Sequence, residues 1–429
     1  MVRSLMKPEP VNKPKIRTLL SAFITLLNDR LGETIVFPLL PFLLERFTTS
    51  GSTLGLLAGT YAISQFAVAP LIGALSDRFG RKPVIITCVS GSVVGLFLFA
   101  LTVSIDWVNV LPLWATSLPL FMLFAARVID GASGGTAATA TAVLADISTP
   151  ANRAKTFGLI GVAFGLGFVL GPGLGTALAQ FSVTLPVWAA TLFALSNLAL
   201  VIWILPETLS AKERVSLVRK RKLNPFTQLS LVFTNPLSRR LCFAFFIFFM
   251  AFNGFTAVLV LYLKEAFNWG PQLSSQAFIV VGIVAMIVQG GLIGPLVNKF
   301  GEWRLTLSGI GFVIAGCLLL TLATPDNSIS MVFSAVGVLA IGTGLVTPCL
   351  RALISRRLNA SGQGAVLGSL QGLQSLGTFI GASAAGFCYD FLGQKSPFIG
   401  TTWLLIVAII LISGGSGAET PKQSESIIK

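Results

Sequence analysis

The sequence predicts an all-α membrane protein: twelve transmembrane helices in two six-helix bundles with pseudo-two-fold symmetry. Three observations predict it. The first is composition, since 54% of the 429 residues are hydrophobic and only 11% are charged, against about a quarter charged in a soluble domain. Such a chain cannot cover its own surface in water, so lipid is its solvent. The second is a series of long apolar runs, six on each side of a basic stretch. The third is that the two sets resemble each other.

A bilayer core takes about 20 apolar residues of helix. Runs of that kind lie at 18–43, 53–75, 83–105, 115–143, 155–180 and 183–205. A second set lies at 241–265, 273–297, 304–323, 329–354, 363–388 and 396–414. Between them, 206–240 holds Lys212, Arg214, Arg219, Lys220, Arg221, Lys222, Arg239 and Arg240 and reads as a surface linker. The organisation is therefore a tail at 1–17, a bundle at 18–205, the linker, a bundle at 241–414 and a tail at 415–429. Loop charges agree with it. If both tails are cytoplasmic, 24 of the 30 Lys and Arg fall in inner segments, as the positive-inside rule requires. Three lie in outer loops (Arg46, Lys264, Lys395) and three within spans (Arg30, Arg127, Arg351). The basic N-terminus runs straight into a long first span, so no cleavable signal peptide is expected.

The repeat is explicit. "LIGALSDRFGRKPVI" (71–85) lies over "LIGPLVNKFGEWRLT" (292–306), and Gly158, Gly167 and Gly171 recur as Gly368, Gly377 and Gly381. Internal repeats in a helical membrane protein mark secondary transporters, in which two bundles rock about a midplane site.

Other classes are poorly supported. The net charge of +14 sits in short loops rather than on a basic face with exposed aromatics, so nucleic acid is not an expected partner. Cys88, Cys242, Cys317, Cys349 and Cys388 are scattered singly in apolar segments, and histidine is absent. That leaves no metal spacing and no Cys/His nucleophile. No phosphate-binding G-x-x-x-x-G-K-[ST] loop drives the chain with ATP. No cofactor is expected.

Three motifs resemble those of the major facilitator superfamily. "GALSDRFGRKPVI" (73–85) matches its loop G-x-L-x-D-R-x-G-R-[KR] at every defining position. "RVIDG" (127–131) resembles its fourth-helix R-x-x-x-G. "GFVLGPGLG" (167–175) resembles the fifth-helix G-x-x-x-G-P-x-x-G of its drug/proton antiporters. The pattern spans the chain and is similar to that of the twelve-helix tetracycline exporters. The resemblance implies that the loop, with Gly73, Asp77, Arg78, Gly80 and Arg81, latches the second helix to the eleventh in the outward-open state. It implies that Gly167, Gly171, Pro172 and Gly175 make the fifth helix a tightly packed gate, although close packing without gating fits these residues too. The second copy of the loop has Asn298 for Asp77 and Glu302 for Arg81, so its latch is degenerate.

The stretch "LLNDRLGETIVFPLLP" (26–41) puts Asp29, Arg30 and Glu33 inside an apolar helix. An ionised group near the bilayer centre costs roughly 2.5–3.5 kcal/mol on insertion scales, so it faces a cavity or a partner. Asp29 and Glu33 share a face at i, i+4, and Arg30 reaches Glu33 at i+3. Three roles compete: a carboxylate that takes up and releases a proton, a carboxylate that holds a polar substrate, and a neutral cluster that fixes packing. By resemblance, Asp29 falls where such antiporters carry a first-helix aspartate; Glu33 stands where a small or apolar residue is common. The family equivalent of Arg127 influences proton transfer at a neighbouring acid, and Asp130 at i+3 is its expected partner. Arg351 lies near the inner end of the tenth span, where facing the cavity and snorkelling to the interface both fit it. The polar residues Asn28, Tyr61, Gln65, Asn253, Gln289, Gln371 and Gln374 suggest a mixed polar and aromatic pocket, each also explained as interhelical glue.

The expected function is proton-coupled export of a small amphipathic compound by alternating access, from the inner membrane and as a monomer. A metabolite or sugar symporter of the same fold is the nearest alternative. A receptor or scaffold that binds without translocating is a second. An enzyme is disfavoured, because no nucleophile–base pair appears.

Overall fold

In lipid every backbone N–H and C=O must find its partner inside the protein, and runs as apolar as these satisfy them as helices. The computed structural model describes residues 16–115, 117–148, 153–209, 236–357 and 363–414. The predicted tail and linker residues 1–15, 210–235 and 415–429 lie outside them. The helices are α1 (Ile16–Val36), α2 (Leu40–Leu44), α3 (Gly51–Phe79), α4 (Arg81–Ser104), α5 (Trp107–Val110), α6 (Ser117–Ser133), α7 (Thr136–Asp146), α8 (Arg153–Ala179) and α9 (Leu185–Trp203). In the second half they are α10 (Pro236–Phe267), α11 (Pro271–Ile287), α12 (Ile293–Leu322), α13 (Ser328–Arg357), α14 (Gln363–Leu392) and α15 (Ser396–Ser413).

Each predicted span falls on helix, with local departures. The first does not run straight to 43: Pro38 and Pro41 lack donors, and α1 gives way at Val36 to a 3-10 turn and then α2. The fourth breaks into α6 and α7 at Gly134 and Gly135. The eighth leaves α11 through a π-helical stretch, Val288–Leu292. Residues 236–240, expected in the linker, are already the first turns of α10, where Arg240 donates to the Gly414 carbonyl at 2.7 Å. Among the described residues, seven helical stretches are long and apolar enough to cross a bilayer, or eight with the bent α3. One of them, Pro271–Leu322, folds back on itself at Gly301.

The two halves repeat one another in three dimensions. Gly80 (φ 107°, ψ 164°) and Gly301 (φ 77°, ψ 156°) turn the chain at matching positions of the repeat, in a region of backbone space open only to glycine. The preceding cations lie over the preceding rings alike, Arg78 over Phe79 at 5.2 Å and Lys299 over Phe300 at 5.3 Å. In the first half α8 packs on α1, Gly167 against Arg30 and Gly171 against Thr34. In the second, α14 packs on α10, Gly377 against Phe246 and Gly381 against Met250. A Cβ at Gly171 or Gly381 would collide with the facing helix.

Glu45, Ser50, Lys264 and Asp390 come together at one end of the molecule, here called distal; Arg81, Asp146 and Glu207 mark the opposite, terminal end. The halves meet closely at the distal end. Lys264 Nζ pairs with Glu45 Oε2 at 2.9 Å, and Gly55 and Gly386 allow α3 and α14 to touch backbone to backbone.

Candidate functional site

The first-helix cluster is a closed arrangement of charges at mid-depth. Arg30 Nη2 donates to Asp29 Oδ2 at 2.7 Å, and Nη1 donates to Glu33 Oε2. Arg30 and Asp29 keep 14% and 16% of their side-chain surface exposed, whereas Glu33 keeps 44%. Glu33 is therefore the member of the cluster that water reaches most readily. The guanidinium also lies 4.8 Å from the Phe164 ring of α8, a cation–π contact. One turn on, the Thr34 hydroxyl lies 2.8 Å from the Arg30 carbonyl and 2.8 Å from the Gly167 carbonyl of α8. Charge cluster and α8 are thus bound together through a single turn of α1.

The second half has no such charges at the matching place. Phe246 and Met250 stand against Gly377 and Gly381 as Arg30 and Thr34 stand against Gly167 and Gly171. The neighbouring Phe245 and Phe249 rings pack at 4.7 Å between centroids. The repeat keeps the packing and drops the charge.

Arg127 and Asp130 sit on α6, their nearest charged atoms 3.8 Å apart. Arg127 lies 5.0 Å from the Phe99 ring, and Gly95 of α4 leaves room for the Asp130 side chain. Gln65 Nε2 donates to the Gly134 carbonyl at 3.1 Å, and its Oε1 accepts from Ser375 of α14 at 2.9 Å, across the halves. Arg351 Nη2 donates to Gln374 Oε1 at 2.6 Å. Asn253 only bonds back to the Phe249 carbonyl of its own helix, at 3.0 Å.

At the terminal end, Arg81 is the hub. It donates to Asp77 Oδ1 at 2.7 Å, to Ser76 Oγ at 2.8 Å and to Asp146 Oδ2 at 3.0 Å. Glu207 accepts the backbone N–H groups of Arg81 and Lys82 at 2.9 and 3.2 Å, capping the start of α4. Asp77 is buried, Arg78 is exposed and Gly73 is half-buried. Residues 358–362, which lead into the eleventh span that Asp77 is expected to latch, lie outside the described residues.

The sequence profile of the Major Facilitator Superfamily matches residues 22–382. This chain belongs to the major facilitator superfamily. It is 31% identical over 391 residues to the tetracycline resistance protein, class C, of Escherichia coli, covering 90% of this chain and 93% of that one. It is 30% identical over 409 residues to multidrug resistance protein 2 of Bacillus subtilis, covering 92% and 96%. The crystal structure of the human organic anion transporter MFSD10 (TETRAN) superposes with a TM-score of 0.69 at 25% identity, covering 94% of this chain and all of that one. The protein is a multi-pass membrane transporter of small molecules rather than an enzyme.

Within this major facilitator fold, spacing along one helix had already placed Asp29, Arg30 and Glu33 together, and likewise Arg127 and Asp130. Reasoning from the sequence missed Asp146, Glu207 and Asp390. The first two lie 65 and 126 residues from Arg81, and no spacing rule joins them. Their only signal is acidic character beside basic loops.

Proposed function

We propose that this transporter is a proton-coupled antiporter that exports small amphipathic compounds by alternating access. Its membrane is the plasma membrane, with the terminal end cytoplasmic and the chain acting as a monomer. The observation that carries this is the Asp29–Arg30–Glu33 cluster bound to the gate helix α8 through Thr34. In a chain without histidine, proton coupling runs through carboxylates, and this pair shares a single cation. The names of the tetracycline and multidrug resistance relatives support export.

The closed distal end fits an inward-facing state. In the cycle a substrate enters from the cytoplasm and displaces a proton from the cluster. Both carboxylates are then charged, and Arg30 holds them together. After reorientation a proton from the outer side protonates Glu33, the exposed member, which weakens its bond to Arg30 and lets the substrate go. Arg30 keeps Asp29 throughout, so no cation is left unpaired in the membrane, a condition that would cost several kcal/mol.

The test uses inside-out vesicles with an acid interior and a pH-sensitive dye. Substrate-triggered proton release by the native protein, lost in Glu33→Gln, which removes the proton carrier, and in Asp29→Asn, which leaves Arg30 unpaired once Glu33 is protonated, supports the proposal. Retained proton-driven transport in Asp29→Asn removes Asp29 from the coupling path. Flux indifferent to the pH gradient overturns antiport.

A further inference from the structure

We propose that Arg351 is the anchor for an anionic group on the transported molecule, so that this protein carries organic anions and zwitterions as well as cationic amphiphiles. The proposal rests on the export reading above and names its substrate class.

Three arginines lie within the predicted spans, and two have a carboxylate partner. Arg30 holds Asp29 and Glu33, and Arg127 faces Asp130. Arg351 has none among the described residues. Its polar contact is with the neutral Gln374 at 2.6 Å, and its enclosed Nε has no partner. A guanidinium keeps its charge under all physiological conditions and carries five donors in a planar fork. Held in a membrane without a counter-ion it is destabilising, and such groups mark substrate or ion pathways. An anionic group on the transported molecule is the ligand this guanidinium is built to pair with. Carboxylate, sulfonate and enolate groups all match the fork, a carboxylate bidentately.

The surroundings place Arg351 on the route between the halves. Gln374 fixes one edge of the guanidinium. The next residue on α14, Ser375, bonds to Gln65 of α3 at 2.9 Å. Gln65 reaches the Gly134 carbonyl at 3.1 Å, close to Tyr61. Gly131, next to Asp130 on α6, packs against the Tyr61 backbone. A line of contacts therefore runs from the helix beside Arg351 across the halves to the segment of α6 that carries Asp130. An anion held at Arg351 touches α13 and α14, and the contacts of α14 with α3 must change when the halves rock. A zwitterion would also present its cation to the first-half carboxylates.

The experiment compares two dyes built on one xanthene ring, anionic fluorescein and cationic rhodamine 6G, in inside-out vesicles with an acid interior. The full-length protein is used as native, Arg351→Gln, Arg351→Lys and Gln374→Glu. The last replaces the neutral acceptor beside Arg351 with a carboxylate and so pairs the buried cation without removing it. Fluorescein transport should fall about ten- to a hundredfold in Arg351→Gln and Gln374→Glu, as for loss of a charged hydrogen bond. The fall should appear mainly in KM. Arg351→Lys should retain part of it, and rhodamine 6G flux should be unchanged in every variant. Equal loss of both dyes makes Arg351 a packing residue and overturns the proposal, as does undiminished fluorescein transport. Native protein that moves rhodamine 6G alone overturns the anion anchor and leaves export standing. Movement of neither dye overturns the export reading, and the anchor with it.

Discussion

Asp390, beyond the predicted eleventh span, accepts both the backbone N–H of Ser52 at 2.9 Å and its hydroxyl at 2.6 Å. It also accepts the Gly51 N–H at 2.8 Å and the Ser50 hydroxyl at 2.7 Å. A carboxylate from the second half thus caps the first turn of α3 in the first half, where the helix dipole and its free N–H groups favour an anion. It lies at the opposite end of α3 from the Asp77–Arg81 loop and comes from α14, the helix that repeats α8.

Burial pushes the Asp390 carboxyl up, but the hydrogen bonds from Ser52, Ser50 and Gly51 outweigh it and leave the group below its ordinary range. A depressed pKa means that the contact is fully present above the free carboxylate value. It is lost only as pH falls through the lowered one. Distal closure should therefore survive at about pH 5, above the ordinary Asp value near 4. Ser383 is half-buried on α14 beside Gly59, so a Ser383→Cys variant reports the opening. Labelling by an impermeant thiol reagent from outside should be slow at that pH and rise severalfold in Asp390→Asn. Equal labelling rates in both proteins would remove Asp390 from the gate.

The glycines of α8 look alike in sequence, and the structure sorts them by what they face. Gly171 meets Thr34 and Gly175 meets the Ile35 carbonyl, whereas nothing lies within 4 Å of a Cβ at Gly161. Gly171→Ala should destabilise by about 1–3 kcal/mol through overpacking. Gly161→Ala should be neutral or stabilising by up to about 1 kcal/mol, from helix propensity alone. Thermal unfolding of the two variants in detergent measures the contrast, and similar melting temperatures would mean that α8 does not lean on α1 as described.

Much of this was legible in the sequence, for a physical reason. Hydropathy and loop charge are local properties of a chain that must satisfy its backbone inside lipid, so spans and halves can be read one window at a time. Asp29, Arg30 and Glu33 were legible because a helix fixes which neighbours share a face. Asp146 beside Arg81, and Asp390 beside Ser52, were not, because each pair is joined by packing between helices far apart in the chain. Helix breaks were harder again. The adjacent Gly134 and Gly135 interrupt the fourth span without lowering its hydropathy, and α10 begins before its apolar run does.

Arg30 is shared by two carboxylates, so removing it differs from removing either acid. Arg30→Ala leaves Asp29 and Glu33 facing each other unpaired, and breaking a buried ion pair this way costs roughly 3–5 kcal/mol. Glu33 is well exposed, so a value below that range is expected. Asp29→Asn should retain insertion and near-native melting, because Glu33 still neutralises Arg30. Lower melting for Arg30→Ala than for Asp29→Asn is the expected order, and the reverse would show that Asp29 is chiefly a packing residue.

Gly80 and Gly301 allow the clearest comparison between the halves. Both turns sit in glycine-only backbone space, so alanine at either should cost about 1–3 kcal/mol of stability. Their effects on transport should diverge. Gly80 precedes Arg81, which ties Asp77 and Asp146 together, and Glu207 caps the same turn. In the second copy Glu302 replaces that arginine. Gly80→Ala should therefore slow turnover by about tenfold at matched expression and little altered KM, and Asp77→Ala should do the same; ~1.4 kcal/mol of gate stabilisation corresponds to that factor. Gly301→Ala should lower the melting temperature alike while leaving turnover within about twofold. Matched turnover losses at the two glycines would assign the gating role to the fold of the turn itself and not to the charges that Arg81 gathers.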